Sequence, residues 1–146
     1  ERFAPQADAP AEQRLMHAAL PQVDGTAAIV GGEQLVGDDI VPFATTWRFD
    51  PASARFAAGP APPQARTLAA AASAADGQVL LFGGAPADAP PTDAALAWTP
   101  QGVRALAAMP APRAWAGAHR LPDGRVLVYG GLDALGQLVT QPVIYE

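Results

Sequence analysis

Short apolar runs ended by glycine are the dominant pattern along the chain. Val79-Leu80-Leu81-Phe82 and Val126-Leu127-Val128-Tyr129 are each four residues long and each stop at a Gly-Gly pair. Runs of this length, rich in branched and aromatic residues, predict strands buried on both faces and are too short for helices. An Asp-Gly pair stands two residues before each run, at Asp76-Gly77 and Asp123-Gly124. Such a pair supplies the positive-φ residue of a tight hairpin, so the segment before it is predicted to pair antiparallel with the run. Thr45 to Phe49 reads as a third strand closed by the turn residues Asp50-Pro51, and Arg55 to Ala58 reads as a short outer fourth strand. The alanine-rich stretch Leu68 to Ala75 has high helix propensity. It is aligned with two other segments that lack that bias, and the expectation is therefore a strand.

That alignment belongs to an internal repeat. Arg14, Arg66 and Arg113 are each followed ten residues later by Asp-Gly, and each Asp-Gly leads into a double glycine at Gly31-Gly32, Gly83-Gly84 and Gly130-Gly131. The three segments read RLMHAALPQVDGTAAIVGG, RTLAAAASAADGQVLLFGG and RAWAGAHRLPDGRVLVYGG, without insertion or deletion. An aromatic follows each double glycine, at Phe49, Trp98 and Tyr145, and the unit is 47 to 52 residues long. Residues 14–65, 66–112 and 113–146 are the expected units, the last without its own outer strand. Residues 1–13 are expected to hold the outer strand of a preceding or last unit plus a linker, because Arg2-Phe3-Ala4 repeats Arg55-Phe56-Ala57.

Double glycines, Phe49-Asp50-Pro51, the aromatic Phe56, the arginine before the first strand and His17 three residues after Arg14 together resemble the Kelch repeat. In that family about 50 residues make one four-stranded blade of a β-propeller. The second copy departs locally, with Trp98-Thr99-Pro100 lacking the Asp and with Val103 at the position of Phe56. The resemblance implies an all-β fold, a β-propeller with three four-stranded blades. Three wedge-shaped sheets do not close a ring of the usual four to eight blades. The expectation is half of a six-bladed ring completed by a second copy as a homodimer, or an excerpt of a longer propeller. Either way two large apolar sheet faces are left to cover.

Composition narrows the function. The net charge of −5 and a pI near 4.8 remove the electrostatic attraction that drives nucleic-acid binding. No run of about 18 apolar residues exists, so no membrane span is expected. The chain begins Glu1-Arg2-Phe3 rather than with Met, which is compatible with an exported or periplasmic location. The absence of cysteine excludes thiolate metal sites and the cysteine-linked tyrosyl cofactor of Kelch-type copper radical oxidases. No cofactor and no metal are expected. A cation at Asp38-Asp39 would need about six to eight oxygen ligands that no loop supplies in series.

The candidate site is the loop-rich face, where the connections 33–42, 85–92 and 132–138 emerge beside the entry to the first strand of each unit. These connections carry Glu33, Asp38, Asp39, Asp88 and Asp133, and no Lys or Arg. Arg14, Arg66 and Arg113 enter on the same side. Guanidinium forks match carboxylates bidentately, so three arginines around a channel mouth could clamp a ligand such as an acidic sugar. Repetition of one residue in every unit favours instead a structural role, each arginine pairing with loop carbonyls, and the acids then read as solvated charge. His17 and His119 fit packed repeat positions. Trp115 could stack on a sugar or pack in the core. No catalytic residue is assigned, because no nucleophile or metal motif is present. The resemblance implies a module for protein or carbohydrate binding. A sugar-modifying enzyme of the sialic-acid epimerase kind and a structural subunit docking through exposed sheet faces stand as alternatives. A broad apolar rim would mark protein binding, a pocket with convergent Arg and carboxylate an enzyme, and a contact through a sheet face an assembly subunit.

Overall fold

A computed structural model describes residues 10–146. It holds strands β1 (Ala18–Pro21), β2 (Ala27–Val30), β3 (Glu33–Val36), β4 (Asp39–Pro42), β5 (Thr46–Asp50), β6 (Arg55–Gly59), β7 (Ala70–Ser73), β8 (Val79–Phe82), β9 (Ala95–Thr99), β10 (Gly102–Ala105), β11 (Gly117–Arg120), β12 (Val126–Tyr129) and β13 (Val143–Tyr145). Every pairing is antiparallel. No helix forms among the described residues, and hence none there is long and apolar enough to cross a membrane. The outer strand expected at Arg2–Ala4 lies outside the described residues.

Each Asp-Gly turn joins two strands of one sheet. The first sheet is ordered β1-β2-β5-β6, the second β7-β8-β9-β10, and the third β11-β12-β13. The aspartate fixes the turn: Asp24 Oδ1 accepts from the Thr26 N–H at 3.0 Å, Asp76 Oδ1 from Gln78 at 3.1 Å and Asp123 Oδ1 from Arg125 at 3.1 Å. The alanine-rich segment is strand, with Ala70 opposite Phe82 and Ala72 opposite Leu80. Tertiary pairing outweighs a helix preference of a few tenths of a kcal/mol per residue, roughly. Residues 33–42, expected as a loop, instead form a hairpin, β3-β4, turned through Gly37-Asp38. Its sequence, two apolar pairs flanking Gly-Asp-Asp, is itself a hairpin pattern.

The core lies between sheets and follows the two-residue period of each second strand. One face of a sheet, here the leading face, packs on the next sheet along the chain, and the other, trailing face packs on the one before. Ala28 and Val30 on the leading face of sheet one meet Val79, Leu81, Leu96 and Trp98 on the trailing face of sheet two. Leu80, Phe82, Ala95 and Ala97 on the leading face of sheet two meet Val126, Val128, Val143 and Tyr145 of sheet three. Strand β8 is therefore buried on both faces, as its continuous apolar run predicts. Each of its side chains contributes about 1.5–3 kcal/mol by burial. Trp98, fully buried, donates from Nε1 to the Pro60 carbonyl at 2.8 Å, which also accepts from Thr46 Oγ1 at 3.0 Å. That shared acceptor ties the second sheet to the end of the first.

Candidate functional site

The entry to each unit is built by three successive residues with different tasks. The first is the repeat arginine. Arg66 Nη1 donates to the carbonyls of Gly83 at 3.2 Å and Ala94 at 3.4 Å, and Arg113 Nη1 to those of Gly130 at 3.4 Å and Gln141 at 3.2 Å. Arg14 Nη1 takes the matching pair, Gly31 at 2.6 Å and Thr45 at 3.0 Å. Each guanidinium thus bridges the end of its own second strand to the start of its third. Arg66 and Arg113 are 3 % and 1 % exposed, and burial lowers their pKa from the ordinary guanidinium value while leaving them cations. Arg14 is paired with Glu12 and lies over the Phe43 ring, 4.2 Å from its centroid. Burial raises the Glu12 pKa, but hydrogen bonds from Arg14, Trp47 and Thr45 outweigh it and hold the carboxyl below its usual range.

The second residue makes a single antiparallel bridge. Leu15 exchanges both backbone hydrogen bonds with Glu33, at 2.8 and 2.9 Å, Thr67 does so with Ala85 at 3.0 and 2.9 Å, and Ala114 with Leu132 at 3.0 and 2.8 Å. The third residue turns outward. Met16, Leu68 and Trp115 all take positive φ, 52°, 58° and 58°, a conformation uncommon outside glycine. The Trp115 N–H donates to the Leu68 carbonyl at 3.0 Å, which links two of these residues across neighbouring sheets.

All three line one cavity of about 420 Å³, together with Thr67, Ile40, Pro42 and Ala85 to Asp88. Glu33, Asp38, Asp39 and Asp88 line it as well, so the structure gathers four of the five candidate acids. Asp133 is elsewhere. Its Oδ1 accepts from the backbone N–H groups of Leu135 at 2.8 Å and Gln137 at 2.9 Å, which makes it the organiser of its own turn. None of the three arginines lines the cavity. Glu33, expected as solvated loop charge, is 8 % exposed, because it sits in β3 and its backbone is held by Leu15. Asp38 and Asp39 are exposed at the hairpin tip. Among the described residues no group of three His, Asp or Glu side chains is placed to hold a metal ion.

Both histidines depart from the packed positions expected for them, since His17 and His119 are exposed. The sequence singles out Trp115 as a possible contact residue but not Met16 or Leu68. Their common offset from the repeat arginines was the available signal.

The same face carries most of the exposed apolar surface. Among the described residues, nine of the twelve exposed large apolar side chains lie there: Leu15, Met16 and Trp115 at the strand entries, Leu35, Val36, Ile40 and Val41 on the β3-β4 hairpin, and Leu135 and Leu138 on the third connection. No protein-family model matches this chain, and no curated protein is similar to it.

Proposed function

We propose that this chain is a Kelch-type unit of a β-propeller that binds a protein partner through its loop-rich face. Support for the propeller is the repeated packing of leading on trailing face between successive antiparallel sheets, with the repeat arginine performing the same bridging task in each.

The observation that carries the binding reading is the collection of nine exposed apolar side chains on one end of the sheets, of which Met16, Ile40 and Trp115 line a cavity rimmed by carboxylates. Contiguous exposed apolar surface marks interaction sites. Among the described residues the opposite end carries the tight Asp-Gly turns and one large exposed apolar residue, Val23. The lining acids, with no Lys or Arg among the cavity residues, favour a partner that offers apolar side chains with Lys or Arg nearby. An acidic sugar is disfavoured there, since the arginines that would clamp it are occupied by main-chain carbonyls.

Capture of binding proteins from the source organism, compared between the natural chain and the variants Ile40→Asp/Trp115→Asp and Val23→Asp, tests this. A protein retained by the natural chain and by Val23→Asp but lost with the double variant supports it. Binding of a glycan on an array, with no protein sensitive to Ile40 and Trp115, overturns it.

A further inference from the structure

Corresponding positions in the three sheets have unequal surroundings. Phe82, Ala72 and Ala97 on the leading face of sheet two are 2 %, 5 % and 0 % exposed beneath sheet three. Their counterparts on sheet three are Tyr129, His119 and Ile144, and all are exposed, Tyr129 by 60 %. The backbone repeats the difference. A Cβ placed on Gly31 would meet the Arg66 carbonyl oxygen at 3.2 Å, and one on Gly83 would collide with that of Arg113, but one on Gly130 meets nothing within 4 Å. Each double glycine in the first two units is thus capped by the arginine carbonyl of the following unit, and the third is bare.

Sheet one carries the complementary surface. Its trailing face carries the exposed Ala19 and the half-buried Ile29, Trp47, Phe49 and Phe56, at positions whose counterparts in sheet two include the buried Leu81, Leu96 and Trp98. Phe49 and Phe56 already stack, with centroids 4.8 Å apart. Among the described residues a cleft of about 210 Å³ lies beside Ile29, Trp47 and Phe56.

We infer that a second copy of this chain covers both surfaces head to tail. The trailing face of its first sheet packs on Tyr129, Leu127 and Ile144, its Arg14 carbonyl caps Gly130, and the reciprocal contact closes the pair. The occupant is argued from continuity: the chain twice builds this interface internally, and its own first sheet carries a trailing face of the kind that covers a leading face like that of its third. Two copies bring together six such sheets, within the roughly four to eight of closed radial arrays. A heterologous contact of this kind either closes or propagates, and six sheets allow closure. The inference rests on the sheet packing and on the proposed propeller arrangement, and is independent of what the loop-rich face binds.

Light scattering on the 146-residue chain is expected to give twice its 14.9 kDa mass at all concentrations above dissociation. Tyr129→Glu/Ile144→Glu spoils the leading face and Ala19→Arg the trailing one. All three positions are exposed, so circular dichroism is expected to show an unchanged fold. Each variant is expected at single-chain mass, and mixing the two is expected to restore the doubled mass through the one intact interface. A natural chain that stays at single mass overturns the inference. So does Ala19→Arg remaining paired, which would mean a face-to-face contact between third sheets, or a mass that grows without limit with concentration.

Discussion

Gly83 lies directly against the carbonyl oxygen of Arg113, leaving no space for a side chain between the end of one repeat's second strand and the first residue of the next. Its φ of 66° is left-handed as well. Gly83→Ala is therefore expected to destabilise by about 3 kcal/mol or more, from the conformation together with the displaced backbone. Gly124→Ala, with φ 93° and open space around it, is expected to lose only the conformational part, about 1–2 kcal/mol. Urea melts of the two variants make the comparison. In the sequence Gly83 and Gly130 hold the same position of the repeat. The structure separates them by what stands next to each.

Arg66 joins two carbonyls, those of Gly83 and Ala94, and the second also accepts from the Gly83 N–H at 3.0 Å. Arg66→Ala leaves the Gly83 and Ala94 oxygens without their side-chain donor and opens a void where a long side chain lay buried. A loss of about 2–4 kcal/mol in chemical denaturation is expected. Arg66→Lys is expected to recover part of it, because one ammonium can reach one carbonyl but lacks the planar fork.

Asp38 and Asp133 look equivalent in the sequence, as acids in corresponding connections. Asp38 is exposed at a hairpin tip, and Asp38→Ala is expected to change stability by less than about 0.5 kcal/mol. Asp133 accepts two backbone N–H groups, and Asp133→Ala is expected to destabilise by about 1 kcal/mol. Thermal melts of the two single variants decide the matter.

Acid should weaken the Asp-Gly turns. The Thr26 hydroxyl, its N–H and the Arg48 guanidinium hold the Asp24 carboxyl below its usual range, and the Arg125 side chain and N–H do the same for Asp123. A folded-state pKa below the unfolded one gives stability that is present above the unfolded value, near pH 4, and is lost as pH falls through the folded value. The melting temperature is expected to drop as pH falls below about 4. Thr26→Ala is expected to raise the Asp24 pKa toward that of a free aspartate, as read by carboxyl NMR titration.

Legibility of the fold followed the strength of the local signals. Val79 to Phe82 and the Asp-Gly turns were readable because run length and turn chemistry agree, and the aligned repeat settled Leu68 to Ala75 as strand against its own composition. The β3-β4 hairpin was missed because it occurs in one unit only and its apolar pairs are exposed, so neither repetition nor burial pointed to it. His119 was misplaced for the opposite reason. It occupies the repeat position of the buried Ala72, but its exposure depends on whether another sheet lies over it, and that is not encoded at the position itself. At the candidate site the structural use of the arginines was open in the sequence as one of two readings. The convergence of Met16, Leu68 and Trp115 needed the positive-φ turn that only coordinates reveal.

Bridging the strands and facing the cavity fall to different residues at each strand entry. The arginine is identical in all three units, whereas the outward residue two places later is Met16 in one, Leu68 in the next and Trp115 in the third. A substitution at the outward position alters what the face presents without disturbing the carbonyls that the arginine joins. Under the proposed binding role, the chain could therefore change specificity one unit at a time while its scaffold stays fixed, and recognition would drift in evolution more readily than architecture.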